Sequence, residues 1–279
     1  MSESRQHNVL PGFGLTVGYT TFFLSAVVLL PLTAMIIKAS GISYEGFVKL
    51  LVDPEIVSSY KISFGTSLLA AVINCVFGFL IAWALTRYDF PGRKFVDALI
   101  DMPFALPTAV SGLALTTVFA QNGWIGLQLA KLGIQVVYTW VGITVALTLI
   151  GMPFVVRTLQ PALAEVQRDL EDAAETLGAS RFVIFWRIIF PTVLPALLTG
   201  FAMALARGIG EYGSVVFISG NLRFQTQITP LLIVQKLEQF KYVDAAALGC
   251  IMLAVSFVML LSINLLQAWS RRRITVGKR

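Results

Sequence analysis

The 279-residue sequence has few charged residues, one histidine and two cysteines. Charged residues make up 13% of the chain, about half the share that a soluble domain has. The one histidine, His7, lies in the polar N-terminal segment, so the sequence lacks the residues that a histidine-based metal centre or catalytic triad needs. Cys75 and Cys250 lie within apolar runs, where cysteine usually acts as a small buried hydrophobe. We therefore predict no catalytic site and no metal site, and the chain is not expected to be an enzyme.

The chain also lacks a glycine-rich phosphate-binding loop of the form G-x-x-x-x-G-K-[ST], so it has no P-loop in which to hold ATP. Its net charge of +6 comes from basic residues at the ends of apolar runs, including the C-terminal stretch RRRITVGKR. Basic residues in such places are typical of membrane orientation rather than of nucleic-acid binding. We predict no cofactor in this chain, no nucleic-acid partner, and contact with membrane lipid.

Long apolar runs dominate what remains, since 57% of the residues are hydrophobic and the mean hydropathy is +0.80. A helix needs about 20 apolar residues to cross a bilayer core. Six runs approach this length, which predicts an all-α integral membrane protein with six transmembrane helices. The runs are Phe13–Ile37, Ile62–Leu85, Phe104–Ala120, Val141–Val156, Ala196–Ser219 and Ala245–Gln267.

Six crossings place both termini on one side, and that side carries more Lys and Arg in its connections than the other. The positive-inside rule then predicts that both termini are cytoplasmic, and the architecture suggests a bacterial inner membrane. The predicted organisation has three parts. Residues 1–59 form an N-terminal tail, the first transmembrane helix and a periplasmic loop, residues 60–267 form the membrane core, and residues 268–279 form a basic cytoplasmic tail.

One polar stretch, residues 163–191, interrupts the apolar runs between the fourth and fifth predicted spans. Apolar residues there recur at steps of three and four, which predicts one face of an amphipathic helix. They are Leu163, Val166, Leu170, Ala174 and Leu177. Gly178 predicts a left-handed helix cap, Ser180 predicts the N-cap of a second helix, and Pro191 and Pro195 predict a break before the fifth span.

Several interpretations of this two-helix loop are open: a solvated loop, a DNA-binding helix-turn-helix, an element that packs only within the membrane protein, or a docking surface for another protein. Between Glu165 and Glu175 there are five acidic residues and one basic residue. Such an acidic surface disfavours DNA and is unlike the basic helices that bind lipid surfaces. An acidic exposed face beside an apolar stripe favours a protein partner.

The spacing within this loop resembles the EAA loop of the permease subunits of ABC importers. That motif reads E-A-A, three residues, Gly, nine residues, then I-x-L-P. In this sequence Asp172-Ala173-Ala174 is followed by Gly178 and then by Ile188 and Pro191, with Asp172 in place of Glu and Phe190 in place of Leu. The resemblance implies a type I importer fold with a cytoplasmic two-helix coupling loop.

In that family the loop docks on a separate ATPase subunit, which binds ATP and Mg. The resemblance therefore implies two copies of an ATPase subunit and a second homologous permease, giving a permease heterodimer. Ala173, Ala174 and Gly178 would allow close approach of the ATPase, while Asp172 and Glu175 would make polar contacts at its rim.

A second charged feature, Arg207 and Glu211, lies four residues apart within the fifth apolar run. Arg207 is predicted about 16 Å along the span that begins at Ala196, near its middle. A charge at that depth costs about 2.5–3.5 kcal/mol unless it faces a partner or a wet cavity. Three interpretations are open: a self-neutralising pair that fixes helix packing, a lining of the translocation path that accepts an anion, or a contact with the second permease.

The motif R-x-x-G-E-[FY]-G, which Arg207 begins, resembles permeases for oxyanions. The stretches 9–24 and 87–115 resemble sulfate permeases, and the first of them the T-type of their two permease subunits. The resemblance implies import of sulfate or thiosulfate together with a periplasmic sulfate-binding protein, and the alternative substrate is molybdate, tungstate or another oxyanion. Asn221 and Arg223, after the fifth run, are candidate contacts for the binding protein, and the alternative is a solvated loop.

A function of another class, an ion-coupled secondary transporter, would need acidic side chains along a cation route. Only Glu211 lies at a suitable place, and Arg207 lies beside it. The sequence therefore favours an ATP-driven importer whose ATPase is a separate chain.

Overall fold

A computed structural model describes residues 13–276, except for the side chains of Arg168, Leu266 and residues 268–276. The predictions for His7 and for the side chains of the basic tail lie outside this description. Every regular element within residues 13–276 is a helix. In chain order the helices are α1 (Phe13–Ala39), α2 (Tyr44–Val52), α3 (Pro54–Arg87), α4 (Arg93–Ala105), α5 (Thr108–Phe119), α6 (Gly126–Lys131), α7 (Trp140–Ala164), α8 (Arg168–Thr176), α9 (Arg181–Ile209), α10 (Gly213–Ser219), α11 (Thr229–Glu238) and α12 (Tyr242–Val276).

Five of these helices, α1, α3, α7, α9 and α12, are long and apolar enough to cross a membrane. The predicted third span, Phe104–Ala120, is not one straight helix, because α4 and α5 meet at an angle of 114°. Pro107 causes the break, since a proline restricts the residue before it to extended conformations, and Leu106 has φ −85° and ψ 135°. The chain has six spans only if the bent pair counts as one.

The predicted fifth span, Ala196–Ser219, is wrong at both ends. The helix α9 begins at Arg181 and ends at Ile209, and a separate short helix, α10, follows. Arg207 therefore lies about 39 Å along α9, in its last turn, and not near the middle of a span. Apolarity alone did not reveal this break, because most residues around it are small or apolar and only Arg207 and Glu211 are charged.

The predicted break at Pro191 and Pro195 is also wrong, since both prolines lie within the continuous helix α9. A single π turn, Phe185–Ile189, precedes them. The hydroxyl groups of Thr192 and Thr199 donate to the carbonyl oxygens four residues earlier, at 2.6 and 2.8 Å. A local change of helix type such as this π turn allows proline within membrane helices.

The helices α3, α7 and α9 enclose the largest buried cluster, which includes Val155, Leu159 and Leu205. Glycines allow two of these helices to approach closely: a Cβ added at Gly200 would lie 2.9 Å from the Cα of Val155. Small residues at such interfaces are typical of membrane helices, because close approach increases van der Waals contact. The polar loop contains α8 and connects two helices of this central bundle, α7 and α9.

Candidate functional site

The polar loop between α7 and α9 does not begin with one amphipathic helix at Leu163, as the sequence predicted. α7 extends to Ala164, a bend follows, and α8 starts at Arg168. Leu163 is buried within the bundle, whereas Leu177, predicted on the same face, is 88% exposed. The predicted face is thus divided by the bend into a buried end of α7 and an exposed side of α8.

The turn after α8 has the predicted geometry. Gly178 has φ +82°, in the left-handed region that favours glycine. Its N–H donates to the carbonyl oxygen of Glu175 at 2.9 Å, and the N–H of Ala179 donates to the carbonyl oxygen of Ala174 at 3.0 Å. This pair of bonds is the Schellman motif. The Oγ of Ser180 then accepts from the N–H of Val183 at 3.4 Å, which confirms the predicted N-cap of the following helix.

Four of the predicted docking residues, Asp172, Ala173, Glu175 and Gly178, are exposed on this helix and turn. Ala174 is half-buried and packs against the central cluster, so it faces its own bundle instead of open space. The other two predicted residues, Ile188 and Pro191, do not lie in a separate cytoplasmic helix. They are half-buried in the first part of α9, and Ile188 packs against the central cluster.

An ion pair that the sequence analysis missed joins α8 to the bundle. The Nη2 of Arg87, at the end of α3, lies 2.6 Å from the Oε1 of Glu171. The side chains are only 11% and 23% exposed, and the guanidinium lies 5.4 Å from the ring centroid of Trp83. The sequence suggested only a role in membrane orientation for Arg87, because no local pattern links residues so distant in the chain.

A second missed cluster joins α4 to α7. Arg157 in α7 donates from Nη1 to Asp97 at 2.6 Å and from Nη2 and Nε to the two carboxylate oxygens of Asp101, at 2.5 and 2.8 Å. It also donates to Gln160 at 2.6 Å. Planar, two-point bonding of this kind is the strong form of an Arg–carboxylate contact. Arg157 therefore fixes α4, the first helix of the bent pair, against the span that leads to α8.

Arg207 and Glu211 form the predicted ion pair. The Glu211 side chain is 2% exposed and that of Arg207 is 34% exposed. Glu211 also accepts from the N–H of Ser214 at 2.9 Å and from its Oγ at 3.0 Å. The carboxylate thus joins the end of α9 to the start of α10, as expected for a pair that fixes helix packing. The other two interpretations, an anion path and a contact with a second permease, stay predictions.

Asn221 and Arg223 lie in the loop between α10 and α11. Arg223 forms an ion pair with Glu55 at the start of α3, and the carboxylate hydrogen-bonded to it holds the pKa of Arg223 above its usual value. Asn221 has φ +50°, and its N–H donates to the Oγ of Ser219 at 3.3 Å. The internal partner of Arg223 shows that this loop is tied to α3, and its role as a contact for a binding protein stays a prediction.

No group of three His, Cys, Asp or Glu side chains within the described residues is arranged to hold a metal ion. Cys75 and Cys250 are both free and half-buried.

A bundle of apolar spanning helices with an exposed acidic helix and left-handed turn between two of them is typical of the permease subunits of ABC importers. The family model for "binding-protein-dependent transport system inner membrane component" matches residues 74–276. Among solved structures, the fold is similar to that of a bacterial ABC transporter involved in the import of the acidic polysaccharide alginate. The TM-score is 0.76 at 17% identity, over 93% of this chain and 94% of that chain.

Sequence relatives narrow the family further. The chain is 45% identical to the sulfate transport system permease protein CysT of Escherichia coli K12, over 95% of this chain and 96% of the relative. It is 46% identical to the CysT protein of Synechocystis, over 91% of this chain and 88% of that protein. The chain therefore belongs to the binding-protein-dependent inner-membrane permeases and, within them, to the CysT-type sulfate transport permeases. It is a multi-pass membrane transport subunit.

Proposed function

We propose that the chain is the membrane-spanning subunit of an ATP-driven importer that moves sulfate, and also thiosulfate, across the bacterial inner membrane. The observation that carries this proposal is the exposure of α8, a helix in which no described side chain is buried although it connects two spans of the central bundle. Such a helix leaves its acidic and apolar side chains available to another protein. The identity to the sulfate permeases supports sulfate as the substrate.

In this proposal α8 and its turn occupy a groove on a separate ATPase subunit, which supplies ATP and Mg binding. Asp172 and Glu175 make polar contacts at the rim of the groove, and Ala173 and Gly178 allow close approach because they present little or no side chain. The bend before α8 and the turn at Gly178 join it directly to α7 and α9. Movement of the docked helix therefore displaces both spans and opens the bundle to alternate sides of the membrane.

The complete transporter in this proposal has two ATPase subunits, a second homologous permease that forms a heterodimer with this chain, and a periplasmic sulfate-binding protein. The loop that contains Asn221 and Arg223 faces the binding protein. Both termini and α8 are cytoplasmic, which requires the bent pair α4 and α5 to cross the membrane once.

The orientation is tested with single cysteines in a protein that lacks Cys75 and Cys250. A membrane-impermeant thiol reagent added outside intact spheroplasts should label Arg223→Cys and leave Glu175→Cys unlabelled, while broken membranes should allow labelling of both. Labelling of Glu175→Cys from outside would contradict the arrangement and, with it, the docking of α8 on a cytoplasmic ATPase.

The transport activity is tested in proteoliposomes that contain the two permeases and the ATPase, with binding protein and radioactive sulfate outside and ATP inside. Uptake should require hydrolysable ATP and should persist when ionophores remove the proton and sodium gradients. Uptake that follows a gradient without ATP would instead support an ion-coupled secondary transporter. Competition decides the substrate: unlabelled thiosulfate should inhibit, and stronger inhibition by molybdate or tungstate than by sulfate would contradict the assignment.

A further inference from the structure

The exposed helix α8 has few attachments to the bundle apart from its chain connections. Among its described side chains, only Glu171 and Ala174 are half-buried, and the rest are exposed. Within the described residues, the pair formed by Glu171 and Arg87 is the one salt bridge that links α8 to a spanning helix. The side chain of Glu171 therefore supplies the main polar attachment of α8 to its own bundle.

The position of Arg87 makes this attachment firm. Arg87 is the last residue of α3, where the helix dipole favours a positive charge, and Glu171 lies in the first turn of α8, where it favours a negative one. The guanidinium lies over the ring of Trp83, in a contact that attracts a cation. Because both side chains are largely shielded from water, the pair is screened by salt less than an exposed pair.

The pair also reaches a helix that the chain connections do not. α8 is joined through the backbone to α7 and α9, whereas Arg87 precedes Glu171 by 84 positions. α3 packs against both α7 and α9 in the central cluster, yet it is not joined to α8 by a direct chain connection. A displacement of α8 thus acts through the backbone on two of the three central helices, and on the third through helix packing and this ion pair.

We propose that Arg87 and Glu171 form a positioning tie that transmits movement of the docked helix α8 to α3, so that the three central helices move together. The proposal rests on the proposed function, because it requires an ATPase that moves α8. The tie acts after docking. Its loss should leave ATPase binding and ATP hydrolysis in place while less sulfate enters for each ATP hydrolysed.

A matched control is present in the neighbouring turn. Arg93 and Asp89 form a pair with the same N–O distance of 2.6 Å, but the side chain of Asp89 is 95% exposed and the two residues lie four apart in one segment. This pair does not reach α8. Its neutralisation removes an Arg–carboxylate contact near the end of α3 without removing the pair formed by Arg87 and Glu171.

The test compares Arg87→Gln, Glu171→Gln, the exchanged pair R87E/E171R and the control Arg93→Gln in the reconstituted importer. Sulfate uptake and ATP hydrolysis are measured on the same proteoliposomes, and the ATPase that co-purifies with each permease is quantified. Both single variants should lower the ratio of sulfate imported to ATP hydrolysed by about fivefold or more, which is the lower end of typical coupling between sites. The exchanged pair should recover most of the ratio, and Arg93→Gln should keep the wild-type ratio.

An unchanged ratio in both single variants would overturn the proposal. Loss of the ATPase from both single variants would overturn it as well, because the tie is argued to act after docking. Failure of the exchanged pair to recover any of the lost ratio would show that the charges do not act as a pair. A failure of the proposed function is distinguishable, because the wild-type and Arg93→Gln proteins would then show no ATP-dependent sulfate uptake.

Discussion

Replacement of Gly178 by alanine should weaken the turn that ends α8 without disturbing the rest of the bundle. A Cβ at this position meets no atom within 4 Å, so the cost comes from the backbone, whose φ is +82°. A left-handed conformation costs an L-residue roughly 1–2 kcal/mol, a factor of about 5–30 in the equilibrium between formed and unformed turn. α8 has nine residues, too few for an isolated helix to be stable in water, so loss of the turn exposes the whole helix to unfolding.

Hydrogen exchange measured by mass spectrometry on the solubilised protein checks this expectation. Amides of α8 should exchange about 5–30 times faster in Gly178→Ala than in the wild type. Gly178→Asn should show a smaller increase, because asparagine enters the left-handed region more readily. The affinity of the permease for the ATPase should fall only when less than about half of the molecules have the turn formed. The reason is that apparent affinity is proportional to the fraction of molecules in the conformation that binds.

Gly92→Ala provides the matched control for backbone strain. Gly92 has φ +86°, and a Cβ there also meets nothing within 4 Å, but the residue lies in the turn before α4. The strain should be similar and the exchange of α8 unchanged. Equal exchange of α8 in Gly178→Ala and the wild type would refute the reasoning, and so would equal acceleration by Gly92→Ala.

Three further predictions concern contacts within the bundle. Arg157→Lys should lower the free energy of unfolding by about 1.5 kcal/mol, because lysine cannot bond both oxygens of Asp101 in planar geometry and also bond Asp97. An unchanged melting temperature of the solubilised protein would contradict this. Gly112→Ala should lower the free energy of unfolding by about 1–3 kcal/mol through overpacking, since its Cβ would lie 2.6 Å from a Cα of α10. The control Gly65→Ala places its Cβ in open space and should not destabilise the protein. Equal yields of folded protein from the two variants would contradict this prediction. Glu211→Gln should lower the free energy of unfolding by about 1–3 kcal/mol, because it leaves Arg207 without its charged partner. The double variant R207Q/E211Q should recover the assembly and the sulfate uptake that the single variant loses. Recovery of assembly without uptake would instead favour the anion-path interpretation.

The sequence predicted those features that depend on local patterns. Hydropathy located the apolar helices, Gly178 and Ser180 predicted the caps around the turn, and the spacing of four predicted the pair formed by Arg207 and Glu211. The same kind of evidence failed at the fifth span. A hydropathy window does not distinguish a helix from an apolar run broken at Gly210. The rule that proline ends a helix does not account for a π turn, which makes proline tolerable in α9.

Tertiary ion pairs were beyond sequence reasoning for a different physical reason. Arg87 and Glu171 are separated by 84 positions, and Arg157 and Asp97 by 60. No periodicity relates such residues, and each charge alone is equally consistent with membrane orientation or solvent exposure. Their partners become apparent only when the bundle places the ends of different helices side by side.

The contacts at the two ends of α9 suggest a route by which the proposed docking of α8 would act on the other side of the bundle. At its first residues the helix is joined to α8 by the turn at Gly178, and at its last turn Arg207 pairs with Glu211, which also accepts from the first turn of α10. Helix α10 in turn lies against α5, where Gly112 permits contact with the backbone of Ser214. The helix has 29 residues and a length of about 43 Å, and its π turn lies near α8. Because the following 20 residues form an uninterrupted α-helix, we expect rotation at the α8 end to be carried to α10 and α5 as motion of one rigid segment.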